Sequence, residues 1–249
     1  MRLVSVKNER RLINHLAAGY AATVERWLSV GAVAMPVEAQ RDFGAEMIRL
    51  WREAIQAGAK FPVEQAKAAF RGLSTKETDP FEEFVREFIN RFGARAIKGL
   101  IDTSLDQIRG FVERGIAEGK TLEQIAKEIR EAIPSLSRLR AHVIARTETH
   151  TAAMYAAHET AKTADVPLTK KWVAGHDHRV RDFGEGDGVV DQFSHRAMSG
   201  VVVDMDEVFM VPMKTGGKEA MMYPGDPNGS AGNLINCRCV AVHRVKSYI

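Results

Sequence analysis

Apolar residues recur at intervals of three and four through the first two thirds of this chain, and no other feature constrains its fold as strongly. This spacing is that of one face of an α-helix, so the sequence predicts a series of amphipathic helices that pack through their apolar faces. Gly58 and Pro134 are expected to end two of them. The predicted helices cover residues 8–28, 37–57, 63–70, 81–115 with a bend at Gly93 or Gly99, 122–133, and from Ser135 or Ser137 to Thr163.

Two short motifs indicate where helices begin. Asp79 followed by Pro80 suits an N-cap and first helical position, because the proline lacks an N–H that would be unpaired there anyway. Thr121 and Gln124 have the spacing of a capping box, in which each side chain bonds the other residue's backbone amide.

The pattern changes after residue 165. Short apolar runs bounded by Gly, Asp and Pro predict strands over 170–174, 200–203 and 237–245. The predicted class is therefore α+β: a largely helical N-terminal two thirds, then a small antiparallel sheet with long Gly/Pro-rich loops. We expect a helical arm or platform over residues 1–100 and a second domain over 101–249, which comprises three helices and the β region.

The composition is that of an ordinary globular protein, with 45% hydrophobic residues, 27% charged residues and a net charge of +3. A mutual disulfide between Cys237 and Cys239 is disfavoured at this spacing, which suits a reducing compartment. The first 16 residues lack the pattern of a signal peptide, and no apolar window approaches about 18 residues. No membrane association is expected.

Histidine and cysteine side chains that suit a metal are concentrated in the last third of the chain. Cys237 and Cys239 are two residues apart, so in a strand they face the same side. Imidazole and thiolate groups are the usual ligands of structural zinc. The candidate ligands of one zinc ion are His176, His178, His195, Cys237 and Cys239.

The same residues allow a catalytic interpretation. Cys237 could act as a nucleophile with His195 or His243 as its base, or His176 and His178 could form a hydrolytic set with Asp182. No phosphate loop, dinucleotide fingerprint, nucleophile elbow or HExxH motif supports an enzyme. No residue is therefore assigned as catalytic.

Basic residues form two modest clusters, Arg138 with Arg140 in a helix and Arg179 with Arg181 in a turn. They are candidates for phosphate contacts in a DNA-binding module. Glu148 has no basic residue three or four positions away on its helix, so we expect its partner to come from elsewhere, with Arg179 or Arg181 as candidates.

Five motifs resemble, in the same order, the head-morphogenesis domain of phage Mu-type minor head proteins of tailed bacteriophages. They are ARTETHTAAMYAAHE (145–159), KKWVAGHDHRVRD (170–182), SHRAMSGVVV (194–203), FMVP (209–212) and YPGDPNGSAGNLINCRC (223–239). The resemblance covers about residues 121–242. The family's characteristic positions correspond to Arg146, Thr147, Glu148, Lys171, Trp172, Asp177, Arg181, His195, Gly200, Pro224, Gly225, Asp226, Asn236, Cys237, Arg238 and Cys239.

The chain departs from the family pattern at one place. In the family the histidine follows the arginine-bearing turn almost at once, whereas here FGEGDGVVDQF (183–193) precedes Ser194 and His195. The departure raises the question of whether His195 and Asp177 remain neighbours.

The resemblance implies a late, minor capsid protein that acts in head assembly near the portal and in DNA packaging or delivery. Its location would be the virion head, and the host cytoplasm during assembly. Its partners would be the portal and major capsid proteins and the packaged DNA, with no cofactor beyond the candidate zinc. A metal-dependent hydrolase or nuclease and a DNA-binding module are the alternatives.

Overall fold

The computed structural model describes residues 6–69, 81–175, 177–184 and 191–246, and it confirms the α+β class. A π-helical turn, Ile89–Gly93, lies where one of the two bends is predicted, whereas Asp79 and Pro80 are outside the described residues. Within the described part of the chain, no helix is long and apolar enough to cross a membrane. The elements in order are α1 Val6–Val30, α2 Val37–Ala69, α3 Phe81–Phe88, α4 Ala94–Ala117, α5 Leu122–Lys162, β1 Leu168–Val173, β2 Val202–Asp204, β3 Phe209–Pro212, β4 Lys218–Met221, α6 Ala231–Leu234 and β5 Val240–Val245.

The chain forms two compact units that do not follow its linear order. One combines residues 1–50 with 89–145, and the other combines 51–88 with 146–249. The first unit is built from helices whose apolar faces are buried, as α1 shows with Leu12, Leu16, Tyr20 and Val24 at intervals of four residues. The predicted amphipathic pattern of this helix is confirmed.

Helix α5 continues through Pro134, so the predicted break at this residue is wrong. A proline in a helix interior costs about 3 kcal/mol because it removes one hydrogen bond and crowds the preceding turn. Ile129 and Ile133 before it, and Ala141 and Ile144 after it, are all buried. Their spacing of three to eight residues keeps them on one helical face, and their burial outweighs the local cost.

The two serines predicted as N-caps are interior residues of the same helix. Ser135 donates its hydroxyl to the Ala132 carbonyl at 2.9 Å, and Ser137 is fully buried. The region from 102 to 163 therefore contains two helices, α4 and α5, rather than three. The capping box at the start of α5 is confirmed, with Thr121 N–H bonded to Gln124 Oε1 at 2.8 Å and Gln124 N–H to Thr121 Oγ1 at 3.3 Å.

Helix α2 continues past Gly58 to Ala69, so the predicted end at Gly58 is also wrong. The separate helix predicted from residue 63 is its continuation, and Phe70 lies outside the described residues. Gly58 is packed against α5: a Cβ atom there would lie 2.2 Å from the Ala153 carbonyl oxygen. This glycine allows two helices to approach closely and does not terminate one.

The sheet has the strand order β2-β1-β5, and both pairings are antiparallel. Lys170 on the central strand is opposite Val203 on one side and His243 on the other. All three predicted strands are confirmed with shifted ends, since the last one begins at Val240 and not at Cys237. The hairpin β3–β4 was not predicted, because its strands are four residues long and contain Pro, Lys and Glu, which are uncommon in strands.

Candidate metal centre

Both cysteines lie in a buried core beside the C-terminal sheet. Trp172 and Phe209 are fully buried members of this core, and their rings meet edge to face with centroids 5.2 Å apart. Cys237 and Cys239 are free thiols within the same cluster. His195 packs its ring against the edge of Trp172 at 5.3 Å. Three groups that bind metals are thus gathered inside an apolar environment.

The three groups are close enough to share one ion. His195 Nδ1 is 3.6 Å from Cys237 Sγ and 3.5 Å from Cys239 Sγ. Their potential ligand atoms all lie within 4.8 Å of one another, and the exposed fractions of the residues are 1%, 1% and 2%. Among the described residues, no other set of three His, Cys, Asp or Glu side chains has this spacing.

A left-handed turn at Asn236 places the cysteines. Asn236 has a φ of 60°, a conformation that asparagine adopts more readily than most residues. Its backbone N–H donates to Thr147 Oγ1 at 3.0 Å, and the next N–H, of Cys237, donates to the Leu234 carbonyl at 3.1 Å. The turn takes the chain from the short helix α6 into β5 with both thiols directed into the core.

Hydrogen bonds on the far side of the imidazole fix the tautomer of His195. Asn233 Nδ2 donates to Glu219 Oε2 at 2.9 Å, which orients the Asn233 carbonyl oxygen towards the histidine. That oxygen is 2.8 Å from His195 Nε2, so Nε2 carries the proton and donates it. The lone pair of Nδ1 is left facing the two sulfur atoms.

The surroundings shift the pKa values of the two cysteine thiols in opposite directions. A hydrogen bond from Cys237 lowers the pKa of Cys239, against the effect of burial. The same hydrogen bond and burial raise the pKa of Cys237. One thiolate and one thiol is the arrangement these interactions favour, with the charge on Cys239.

Asp177 and Arg238 connect the turn after β1 to the residue between the cysteines. Arg238 donates through both terminal nitrogens to the two carboxylate oxygens of Asp177, with Nη2 2.6 Å from Oδ1. Hydrogen bonding to Arg238 lowers the pKa of Asp177 to about 2. This bidentate pair gives two of the family's characteristic positions a shared structural role.

The insertion between the arginine-bearing turn and His195 is closed at its base. Asp182 N–H donates to Asp191 Oδ2 at 3.0 Å, and Asp191 N–H donates to the Asp182 carbonyl at 3.1 Å. The backbone N–H of His195 then donates to the Arg181 carbonyl at 3.1 Å. The two ends of the insertion therefore lie close together, and His195 is hydrogen-bonded to the arginine-bearing turn.

Not all of the proposed ligands and catalytic residues join this site. His178 is exposed in the turn, and His176 lies outside the described residues. His243 is buried near His158, with ring centroids 6.5 Å apart, and it is not in the group with the cysteines. Asp182 accepts a hydrogen bond from Ser194 and forms an ion pair with Arg196.

The four arginines proposed for DNA contacts have different surroundings. Arg179 pairs with Asp177, and Arg181 donates to the Ile235 carbonyl. Arg140 is partly buried and donates to the Leu100 carbonyl at 3.1 Å, whereas Arg138 is exposed on α5. Three of the four are thus engaged within the protein.

Two other family positions shape the sheet. Gly200 has a φ of 94°, which favours glycine, and its N–H donates to the Trp172 carbonyl at 2.9 Å. The Trp172 N–H in turn donates to the Val201 carbonyl at 2.9 Å. These bonds extend the pairing of β1 beyond the end of β2. A third family position, Lys171, is partly buried on β1.

Glu148 does not pair with Arg179 or Arg181, so that prediction is wrong. Its carboxylate accepts a hydrogen bond from Trp51 Nε1 at 2.9 Å. Burial raises the pKa of Glu148 to about 7, and the bond from Trp51 opposes this rise. A neutral donor can satisfy the carboxyl group without compensating a negative charge, and this explains why the acid form is favoured.

Replacing Glu148 with glutamine should therefore stabilise the protein in alkaline solution. The folded-state pKa lies above the ordinary 4.5, so the protonated carboxyl contributes stability below about pH 4.5 that is lost as the pH rises through 7. Because the side chain is only partly buried, we expect an advantage of about 1–2 kcal/mol for Glu148→Gln at pH 8.5 and little difference at pH 5. Urea unfolding at both pH values measures it, with exposed Glu113→Gln as control. A constant difference between the pH values would contradict it.

His150 was not identified from the sequence, whereas Gly225 and Asp226 are among the family positions predicted there. His150 Nε2 is 2.8 Å from the Cys239 carbonyl oxygen, and the neighbouring Gly225 has a φ of 82°. Asp226 accepts three bonds, from Met222 N–H at 2.8 Å and from the Asn228 backbone and side-chain amides at 2.9 and 3.0 Å. The Asp226 contacts are local, whereas Gly225 lies against His150, about 75 residues earlier in the chain, where an added Cβ would be 2.5 Å from Nδ1.

Comparisons with known proteins place the chain in a family. An uncharacterized protein of Bacillus subtilis (strain 168), YqbB, is 28% identical over 144 residues, which are 57% of this chain and 42% of that protein. The chain thus matches less than half of the length of this relative. No solved structure matches. The family model described as Phage Mu protein F like protein matches residues 106–242, more than half of the chain, and the protein belongs to this family.

Proposed function

We propose that this protein is a minor capsid protein of a tailed bacteriophage or prophage and acts in head morphogenesis. The observation that carries the proposal is the family match over residues 106–242, which spans the second half of α4, all of α5 and the sheet as far as the start of β5. The site residues support it, because Asp177, Arg238, Asn236 and Thr147 form contacts that hold the sheet region together.

The finer part of the proposal is an association with the portal vertex and the major capsid protein. Residues 1 to about 100 lie entirely outside the family match and would provide a docking platform. Val30 and Val37, at the connection between α1 and α2, are 63% and 65% exposed, as expected for apolar side chains that a partner covers. A role in DNA packaging or delivery belongs to the same proposal.

A structural role without turnover suits the site better than hydrolysis. His195, Cys237 and Cys239 are at most 2% exposed, so a substrate could not reach them without opening the core. Direct DNA binding has less support, since Arg179 and Arg181 already bind Asp177 and the Ile235 carbonyl.

The test uses the phage or prophage that encodes the protein. With an amber codon in its gene, we expect defective heads in a host without a suppressor and normal heads in a host with one. Quantitative mass spectrometry of purified suppressed heads should find a few copies per particle, and chemical cross-linking should join them to the portal protein. Normal infectious heads without the protein, or its absence from heads and head precursors, would contradict the proposal.

A further inference from the structure

We propose that His195, Cys237 and Cys239 bind one zinc ion, and that this ion fixes the loop that carries His195 to the start of β5. The first argument is metric. A tetrahedral zinc site has Zn–S distances of about 2.3 Å and Zn–N distances of about 2.0 Å, which place a sulfur and a nitrogen ligand about 3.5 Å apart. The two observed Sγ to Nδ1 separations are 3.6 and 3.5 Å.

The second argument is the orientation of the histidine. Metal-bound imidazoles usually donate their other N–H to an oxygen acceptor, which fixes the ring and the tautomer. His195 donates Nε2–H to Asn233 Oδ1, and Asn233 is itself held by Glu219. Nδ1 is therefore unprotonated and directed at both sulfur atoms, as a ligand must be.

The third argument is charge. Zinc binding requires both cysteines to be thiolates, and their combined charge of −2 in an apolar core must be compensated. A divalent cation with two thiolates and one neutral imidazole forms a neutral centre, which is compatible with exposed fractions of 2% or less. Thiolate and imidazole ligands select zinc over magnesium and calcium, which prefer oxygen.

The position of the site indicates what the ion does. His195 follows the inserted loop, whereas the cysteines lead into β5, about 40 residues later in sequence. The sheet has three short strands, and a structural zinc site contributes folding free energy directly. Zinc would join the two segments, which a disulfide between Cys237 and Cys239 could not do because both cysteines lie in the same segment.

The first measurement is the metal content of the full chain, purified with a reductant and without chelators. We expect about one zinc per chain, and about none in Cys237→Ser, Cys239→Ser and His195→Ala. His243→Gln is the matched control, because it alters a buried histidine of the same sheet that is not in the ligand group, and it should retain the metal.

A second measurement covers the case in which the ligand variants fail to fold. Chelation of the wild-type protein should lower its melting temperature by about 10 °C or more, and added zinc should restore it. Cobalt(II) in place of zinc should give thiolate-to-metal charge-transfer absorption together with the strong visible bands of a tetrahedral site. A folded protein that binds no zinc when supplied with it, or a cobalt form without the thiolate absorption, would overturn the assignment. Neither result would affect the proposed role in the phage head.

Discussion

Replacing Gly58 with alanine should destabilise the protein by about 3 kcal/mol or more, as overpacking of a rigid interface does at its severe end. A Cβ at this position would lie 2.2 Å from the carbonyl oxygen of Ala153, 2.6 Å from its Cα and 2.7 Å from its carbonyl carbon. These are backbone atoms inside α5, so no rotamer change can relieve the clash. Helices α2 and α5 must separate there to accommodate the methyl group.

Gly99→Ala is the matched control for this substitution. Gly99 lies inside α4 and is exposed, and a methyl group added there would meet no neighbouring atom of the described residues within 4 Å. Alanine there should stabilise the protein by about 0.5–1 kcal/mol, because the unfolded chain loses more freedom than the helix does. Thermal and urea unfolding of both variants give the two free energies. A change below about 0.5 kcal/mol for Gly58→Ala would show that the close approach of the helices is not rigid.

The sequence predicts the helices well where the apolar pattern is strong, and fails where one residue is given too much weight. Pro134 and Gly58 are both read as helix ends, yet both lie inside long helices. The reason is that local propensity competes with burial: a continuous apolar face outweighs one proline, and a glycine can be selected for the helix it contacts. Such contacts depend on α5, about 95 residues further along the chain from Gly58.

The sequence likewise predicts some residues of the candidate metal centre and not others. The spacing of Cys237 and Cys239 predicts that they act as a pair. Of the candidate histidines, the structure places His195 beside them and leaves His178 exposed in the turn. Asn233 and Glu219 could not be assigned, because amide and carboxylate side chains in loops and short strands are common and only tertiary structure shows which one orients the imidazole. The partner of Glu148 was mistaken because an acid suggests a basic neighbour, whereas here an indole serves.

Acidification should destabilise the protein strongly through two buried histidines that remain neutral in the folded state. Burial lowers the pKa of His158 to about 3, and the positive charges of Lys170 and Lys162 and the nearby His243 add to this effect. Burial also lowers the pKa of His243 to about 4, again with Lys170 as the charged neighbour. The packed ring of Tyr223, 5.0 Å from that of His158, leaves little room for water.

The sign of the pH dependence follows from these values. Both folded-state pKa values lie below the ordinary 6.5, so between about pH 6.5 and 4 the unfolded chain binds protons that the folded protein does not. The unfolding free energy must therefore fall as the pH decreases through this range. We expect each histidine to contribute a loss of about 2 kcal/mol between pH 7.5 and pH 4.5.

Glutamine variants separate these two residues from all other acid-sensitive groups. His158→Gln and His243→Gln should each lower stability at pH 7.5 through imperfect packing, but each should remove about 2 kcal/mol of the acid-dependent loss. His178→Gln is the control, since His178 is exposed and its replacement should leave the slope unchanged. If the protein binds zinc as proposed, its loss on acidification would affect every variant equally, so only the difference from the wild type is interpreted. The variant that carries both substitutions provides the decisive result. If it loses stability on acidification as steeply as the wild type, these imidazoles are protonated or solvated in the folded protein. The surroundings of Lys170 would then be more accessible to water than the 0% exposure of that residue implies.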